Sequence, residues 1–248
     1  MSAPQLHFIP QSEFARVAGA SIDGPAKCAL IADMCRLNAL AAIKRAGSGH
    51  IGSSFSSLDI VVALYFAEMN VRAVGIDSPD RDIYFSSKGH DAPGLYAVLH
   101  ALGIMPEARF LDLRRLGGVH GHPDVTLPGI EANTGSLGMG VSKGKGMAIA
   151  KRLAGHGGRI FVMTGDGELQ EGQNFEALQT AAHQGITNLN VIVDANRVQS
   201  DRLVAETLGL GDLEAKLRAF GWHVTRCDGH DQQDLARVFA EFRGVTDR

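Results

Sequence analysis

The sequence contains little cysteine, no excess of one charge and no long apolar run. Only three cysteines occur among 248 residues. Cys28 and Cys35 are seven positions apart, on one face of a predicted helix, and no C-x-x-C pair is present. We interpret all three as core or neutral thiols rather than metal ligands. The formal net charge is −3 with both signs mixed along the chain, so a nucleic acid partner is not expected.

Segments that would direct the chain to a membrane are also missing. The longest apolar stretch, residues 60–67, is far shorter than the roughly 20 residues that span a bilayer. The first residues show no charged leader followed by an apolar run, so a secretory signal is not expected. We therefore expect a cytoplasmic protein that does not enter a membrane. No repeat, low-complexity tract or linker divides the chain, which predicts a single domain over 1–248 with an N-terminal extension at 1–24.

Hydrophobic periodicity predicts alternating helices and strands. The predicted helices are 25–46, 57–66, 93–102, 106–113, 136–153, 171–183, 212–220 and 231–243, and the predicted strands are 83–85, 159–164, 189–195 and 223–228. The segment 47–54 is predicted to be a loop. Strand and helix alternate cleanly in the second half, which is typical of parallel βαβ units. Residues 160–163 and 191–193 are continuous apolar runs, as expected for strands that helices cover on both faces. The predicted fold is α/β, a doubly wound, mostly parallel sheet with helices on both faces.

Polar residues follow two consecutive predicted strands. Asp166 comes directly after one strand within Gly-Asp-Gly, and Asn196 follows the next strand, 30 positions later. That separation is one βαβ unit, and ligands of open parallel sheets bind outside the carboxyl ends of the strands. One carboxylate, one amide oxygen and one backbone carbonyl suit Mg²⁺. The glycines at 165 and 167 would let backbone approach a phosphate.

Each of these motifs has a simpler interpretation when it is taken alone. Gly-Asp-Gly is often only a turn, and a strand-end asparagine is often only a cap. His120 and His122 form His-Gly-His, but alternate residues without a third ligand argue weakly for zinc. Lys143 and Lys145 are more often a solvated face than a phosphate site. The spacing of Asp166 and Asn196 is what favours a shared ion.

Five ordered motifs resemble those of the transketolase family, whose fold binds thiamine diphosphate. The likeness runs from about residue 25 to the end. Its motifs are Gly49-His50-Ile51-Gly52, Ser87-Lys88-Gly89-His90, Gly121-His122-Pro123, Thr134-Gly135-Ser136-Leu137-Gly138-Met139-Gly140, and Gly165-Asp166-Gly167 with Asn196.

The resemblance implies how a cofactor would be held. Asp166 and Asn196 would bind Mg²⁺ through their side chains, and Val198 would bind it through its carbonyl oxygen. Gly167 would donate a backbone N–H to the diphosphate, which His90 would also reach. The family's cofactors, thiamine diphosphate and Mg²⁺, are therefore expected here.

The resemblance also implies a substrate pocket and catalytic residues. Gly135 and Leu137 would line the thiamine pocket. His50 and His122 would face the substrate, where histidines can exchange protons because their ordinary pKa is about 6.5. With His90 and Glu171 they form the expected catalytic set.

The family pattern predicts partners. Glu171 resembles the acid that links paired active sites across a subunit interface, and Glu176 resembles a further interface acid. The pyrimidine-binding half of a transketolase is absent, so we expect a separate carboxy-terminal subunit, a dimer of heterodimers and small sugar substrates. The expected activity is transfer of a two-carbon ketol unit.

Other hypotheses stay open at this point. The chain stops before a further diphosphate-contacting histidine of the family, which predicts either a missing tail or a weakened site. The alternatives are a deoxyxylulose-phosphate synthase-like or ketoacid dehydrogenase-like component, or a non-catalytic scaffold subunit that has lost cofactor binding. The sugar donor and acceptor are not predicted.

Overall fold

The computed structural model describes residues 6–245, so the outer ends of the predicted domain and of the predicted extension lie outside the described residues. The helices are α1 (Gln11–Ala18), α2 (Gly24–Ala46), α3 (Ile51–Ala63), α4 (Val71–Val74), α5 (Ala92–Ala101), α6 (Glu107–Leu111), α7 (Gly140–Ala154), α8 (Gly172–His183), α9 (Val204–Leu208), α10 (Leu213–Ala219) and α11 (Gln232–Arg243). The strands are β1 (Ile83–Ser86), β2 (Ile160–Gly165), β3 (Leu189–Asp194), β4 (Val198–Gln199) and β5 (Arg202–Leu203).

Local sequence signals explain the limits of α2. The Asp23 side chain accepts a hydrogen bond from the Ala26 N–H at 3.5 Å, and Pro25 occupies the first turn. Gly47 ends the helix in the left-handed region at φ 69°, a conformation that glycine adopts without steric cost. The predicted helix over 25–46 is confirmed.

The prediction of a loop over 47–54 is wrong in its second half. Helix α3 begins at Ile51 and continues into a π-helical turn, Leu64–Glu68. Ser54 is buried, and a Cβ at Gly94 would lie 3.1 Å from its carbonyl oxygen. Close packing of these small residues therefore overrides their low helix propensity.

Contacts divide the described chain into two compact units. The first contains the described residues up to Glu68, His90–Asn133 and Gly229–Ala236, and the second contains Met69–Gly89, Thr134–Asp228 and the described residues from Arg237 onward. The single domain over 1–248, with its extension at 1–24, stays a prediction.

The first unit is helical around an apolar core. Its fully buried side chains include Phe14, Ile31, Leu58, Leu99 and Phe110. Cys28 and Cys35 are also buried, and burial raises the pKa of the Cys35 thiol, which keeps it neutral as predicted.

The second unit contains a three-stranded parallel sheet in the order β1-β2-β3. Every residue of β2 is buried, as expected for the central strand of a covered sheet. Between α7 and α8, Val141, Ala177 and Leu178 form an apolar cluster. These elements confirm the α/β class and the parallel sheet.

One predicted strand and one predicted helix start are wrong. Residues 223–228 pair with no strand among the described residues; Thr225 bonds to Glu241 and Arg226 to Glu214 instead. Helix α7 begins at Gly140 rather than at residue 136, because Gly138 has φ 83°, outside the helical region.

One helical stretch, Ile51–Glu68, is long and apolar enough to cross a membrane by length and composition. More than half of it is buried inside the structure, as in the core helix of a globular protein.

Two glycines of α7 provide a test of the packing against the sheet. A Cβ at Gly144 would lie 2.4 Å from Val162 Cγ2 and 3.1 Å from Leu189 Cδ1, whereas a Cβ at Gly146 would meet nothing within 4 Å. We expect Gly144→Ala to lower the free energy of unfolding by about 1–3 kcal/mol. Gly146→Ala should raise it by about 0.5–1 kcal/mol, because alanine is the better helix former. Urea unfolding of both variants measures the change in the free energy of unfolding. If both substitutions changed it in the same direction, the close approach of Gly144 to the sheet would be refuted.

Candidate functional site

The carboxyl ends of all three parallel strands lie at one edge of the sheet. Ser86 pairs with Met163, and Gly165 pairs with Asp194. The chain therefore leaves β1 at Ser87, β2 at Asp166 and β3 at Ala195 along the same edge.

Asp166 is buried at this edge and is held by two backbone donors. Its Oδ1 accepts the Gly167 N–H at 2.8 Å, and its Oδ2 accepts the Arg197 N–H at 2.8 Å. Burial raises the pKa of the Asp166 carboxyl and the Asp194 charge adds to that, while these backbone donors oppose it. Each carboxylate oxygen retains a second lone pair for another partner.

The loop after β3 contacts Asp166 through Arg197, the residue that follows Asn196. The Arg197 N–H is the link, and Arg197 at φ 67° and Ser200 at φ 49° bend the loop through left-handed conformations. Asn196 Oδ1 accepts the Val198 N–H at 2.9 Å. The loop that carries Asn196 is therefore hydrogen-bonded to Asp166, the residue that follows β2.

The donor set fits Mg²⁺ and a diphosphate. A carboxylate, an amide oxygen and a loop carbonyl are hard oxygen ligands, and Mg²⁺ commonly completes such a set with phosphate oxygens and water. A cavity of about 330 Å³ adjoins Asp166 and is lined also by Arg197, Val204 and Leu210. A Cβ at Gly167 would lie 2.8 Å from Gln199 Cβ, so only glycine fits there.

The predicted thiamine-pocket residues lie on the loop before α7. Gly135 has φ 125° and Leu137 is 40% exposed. Within residues 6–245, the buried hydroxyl of Thr134 has no hydrogen-bond partner. An unsatisfied buried polar atom beside Gly135 is consistent with a polar ligand at this loop.

Glu171 is exposed at the residue preceding α8. Its expected role at a subunit interface stays a prediction, as does that of Glu176, which is exposed within α8.

The structure adds a buried ion pair that the sequence analysis did not identify. Lys88 Nζ lies 2.6 Å from Asp194 Oδ2, with side chains only 2% and 6% exposed. The same Asp194 oxygen accepts Asn196 Nδ2 at 3.1 Å. Lys88 therefore holds Asp194, which in turn accepts a hydrogen bond from the side-chain amide of Asn196, a predicted metal ligand.

Glu168 forms a second unexpected network. Its carboxylate accepts hydrogen bonds from Ser87 Oγ, the Gly138 N–H and the Gly165 N–H. Burial raises the pKa of the Glu168 carboxyl, and these three hydrogen bonds lower it. The sequence does place Glu168 three residues after an apolar strand, which could have suggested a residue at the carboxyl edge of the sheet. Its spacing along the chain does not predict which groups it bonds to.

The three predicted histidines lie together in the first unit. The rings of His50 and His90 have centroids 5.0 Å apart. Burial lowers the pKa of His122, and the charges of Arg114 and His50 lower it further. His122 therefore favours its neutral form at neutral pH, which can accept a proton.

Arg114 and Tyr96 hold this cluster and were not predicted. Arg114 Nη1 donates to Ser48 Oγ at 3.0 Å, and its guanidinium packs so closely on Gly121 that a Cβ there would lie 2.6 Å from Nε. The Tyr96 hydroxyl donates to the carbonyl of His122 at 3.0 Å. Arg114 therefore joins the loop before His50 to the loop before His122.

We expect Arg114→Gln to raise the pKa of His122, because removing the guanidinium charge stabilises the imidazolium. Burial and His50 remain, so the pKa should stay below its ordinary value. Titration of the imidazole signals by NMR measures the change. Arg115→Gln is the matched control, since Arg115 donates instead to the Arg45 carbonyl at 2.9 Å. An unchanged His122 pKa in Arg114→Gln would contradict the proposed electrostatic contact.

The family model described as "Transketolase, thiamine diphosphate binding domain" matches residues 28–248. The chain is 40% identical over 185 residues to one subunit of an apulose-4-phosphate transketolase from Actinobacillus succinogenes, an alignment that covers 74% of this chain and 67% of that protein. It is 38% identical over 206 residues to a 6-deoxy-6-sulfo-D-fructose transketolase subunit of Clostridium sp., covering 82% and 75% of the two chains.

A solved structure has the same fold. Transketolase from Leishmania mexicana superposes with a TM-score of 0.82 at 28% sequence identity. The match covers 89% of this chain and 35% of that one. The chain thus spans about a third of the length of that solved protein, and two thirds or more of the two subunits named above.

Proposed function

The chain belongs to the transketolase family, in its thiamine diphosphate-binding domain, and from this premise we propose that it is the amino-terminal subunit of a two-subunit transketolase. In this proposal the chain binds thiamine diphosphate and Mg²⁺ and, with a partner, transfers a two-carbon ketol unit between sugar substrates.

The observation that carries the proposal is the contact between the loop after β3 and Asp166. The 2.8 Å hydrogen bond from the Arg197 N–H to Asp166 Oδ2 joins Asp166 to the residue that follows Asn196, which supports a Mg²⁺ site shared by Asp166 and Asn196. Two relatives of similar extent are named as transketolase subunits, which supports a two-subunit enzyme and favours it over the synthase-like, dehydrogenase-like and scaffold alternatives.

The residues at the strand ends would hold the cofactor. Asp166, Asn196 and the Val198 carbonyl bind Mg²⁺, and the Gly167 N–H and His90 bind the diphosphate. Gly135 and Leu137 line the thiamine pocket. The bound cofactor supplies the group that stabilises a carbanion during carbon–carbon bond cleavage.

The histidines would bind the sugar substrate and exchange protons with it. His50 and His122 bind substrate hydroxyls, and neutral imidazoles accept their protons and return them. The pKa of His122 is lowered by burial and by Arg114, which keeps it in the form that accepts a proton. His50, His90, His122 and Glu171 are the catalytic set of this proposal.

The partner would be a carboxy-terminal, pyrimidine-binding subunit, and the two would assemble as a dimer of heterodimers. Glu171 and Glu176 are exposed in the single chain, which leaves both carboxylates accessible to a subunit interface. We place the complex in the cytoplasm.

The substrate class is a ketose sugar or sugar phosphate as donor and an aldose as acceptor. The two relatives named above act on apulose 4-phosphate and 6-deoxy-6-sulfo-D-fructose, according to their names. A specialised catabolic sugar and a pentose phosphate are therefore both substrates to assay.

The test is reconstitution. The purified chain is titrated with thiamine diphosphate and Mg²⁺ in a calorimeter, alone and mixed with carboxy-terminal subunits encoded beside it, and ketol transfer is assayed in the same mixtures. We expect tight binding and transfer only in a mixture. A mixture that forms a stable complex but neither binds the cofactor nor transfers a ketol unit would favour the scaffold alternative.

A further inference from the structure

Glu168 is a buried acid at the carboxyl edge of the sheet to which the proposed function assigns no role. It is 3% exposed. One of its oxygens accepts the Gly138 N–H at 2.8 Å and the Ser87 hydroxyl, and the other accepts the Gly165 N–H at 3.1 Å. Its partners come from three separate segments, which follow β1, precede α7 and end β2.

Ser87 extends this contact to the start of α7. Its Oγ accepts the Gly140 N–H at 3.0 Å while its hydroxyl bonds to Glu168. A Cβ at Gly140 would lie 2.2 Å from Ser87 Cβ, so only glycine lets the start of α7 approach Ser87 this closely. Glu168 and Ser87 together therefore bind two of the three amides at 138–140.

The segment held in this way carries Gly135 and Leu137, the proposed thiamine-pocket residues. Gly138 has φ 83°, and a Cβ there would lie 2.7 Å from Glu171 Cβ. The segment therefore turns through a left-handed conformation at Gly138, which glycine adopts without steric cost, and the buried Glu168 carboxylate supplies the acceptor for the Gly138 N–H.

We propose that Glu168, acting with Ser87, is a positioning residue that holds the 134–140 segment in the conformation that receives thiamine diphosphate. This inference rests on the proposed function. A preformed segment binds a ligand more tightly because less ordering is needed on binding. Glu168 does not itself touch the cofactor in this scheme.

Glu168→Gln is the decisive variant because it keeps the shape of the side chain. A carboxylate can accept from all three donors, whereas a glutamine amide must turn its NH₂ group toward the Gly165 N–H or toward the Ser87 and Gly138 donors. In the first orientation the Gly165 N–H loses its acceptor, and the Gly138 N–H keeps only a neutral amide oxygen, which is a weaker acceptor than a carboxylate. In the second orientation the Gly138 N–H itself loses its acceptor. The 134–140 segment should therefore loosen in either case.

The first measurement is hydrogen–deuterium exchange on the chain alone. We expect peptides covering 134–140 to exchange about tenfold faster or more in Glu168→Gln, with peptides of β3 and α2 unchanged. Ser87→Ala should show a smaller increase, confined to the same segment. Glu107→Gln, the same substitution at an exposed site of α6, should match the wild type.

The second measurement is calorimetry on the two-subunit complex at saturating Mg²⁺. We expect the Kd for thiamine diphosphate to rise about tenfold or more in Glu168→Gln, and kcat at saturating cofactor to recover to within about threefold of wild type. A purely structural role would instead speed exchange throughout the second unit and leave kcat depressed at saturation.

The outcomes separate the two proposals. If the wild-type complex binds no cofactor, the proposed function fails and the exchange data alone decide whether Glu168 holds the segment. If the wild type binds and Glu168→Gln binds equally well with unchanged exchange, the positioning role is overturned and the proposed function stands.

Discussion

Replacing Asp166 with alanine is expected to abolish Mg²⁺-dependent binding of thiamine diphosphate by the two-subunit complex. Asp166 is the charged member of the proposed ligand set, and its Oδ2 also accepts the Arg197 N–H that fixes the loop carrying Asn196. One substitution therefore removes one proposed ligand and releases another. Since loss of residues that merely orient ligands costs about 10–100-fold in metal affinity, we expect a loss above about 100-fold. Calorimetry with the cofactor at fixed Mg²⁺ measures it.

A matched control separates loss of the ligand from loss of the fold. Asp77 is exposed, so Asp77→Ala removes a carboxylate outside the site and should bind the cofactor as the wild type does. Asp166→Asn keeps an acceptor for one backbone N–H but loses the charge, so its affinity for the cofactor should lie between those of Asp166→Ala and Asp77→Ala. Full binding by Asp166→Ala would show that Mg²⁺ is held elsewhere.

Replacing Lys88 with methionine should cause the largest loss of stability. Methionine fills a similar volume but leaves the Asp194 carboxylate buried without the ammonium group 2.6 Å away. Breaking a buried pair by removing one partner costs about 3–5 kcal/mol. Urea denaturation of the chain alone, followed by circular dichroism, measures the change in the free energy of unfolding.

Two further variants test the cause of this loss. Lys44→Met removes an exposed ammonium group from α2 and should change the free energy of unfolding by less than about 0.5 kcal/mol. The double variant Lys88→Met, Asp194→Leu should recover part of the loss, because apolar pairs often replace buried ion pairs without cost. If Lys88→Met is no less stable than Lys44→Met, the buried pair contributes nothing to the fold.

The limits of the sequence predictions have local physical causes. The start of α3 was missed because Gly52, Ser53 and Ser54 are poor helix formers, whereas in the structure the buried Ser54 packs closely on Gly94 of α5. The strand predicted over 223–228 has an extended pattern but no neighbouring strand in the described part of the chain, since Thr225 and Arg226 contact helices. Periodicity reports the local preference of a segment and cannot report what packs on it.

The sequence by itself determined the α/β class, the order of the three strands of the parallel sheet, and the place of Asp166 and Asn196 just after consecutive strands. These features depend on periodicity and on chain connectivity across one βαβ unit, both of which are visible in the sequence. Only the tertiary structure decided which polar groups meet. Lys88 pairs with Asp194 across 106 positions, and Glu168 reaches back 30 positions to Gly138. Such pairs form because the parallel register brings distant strand ends into a buried edge, where each polar group must find a partner.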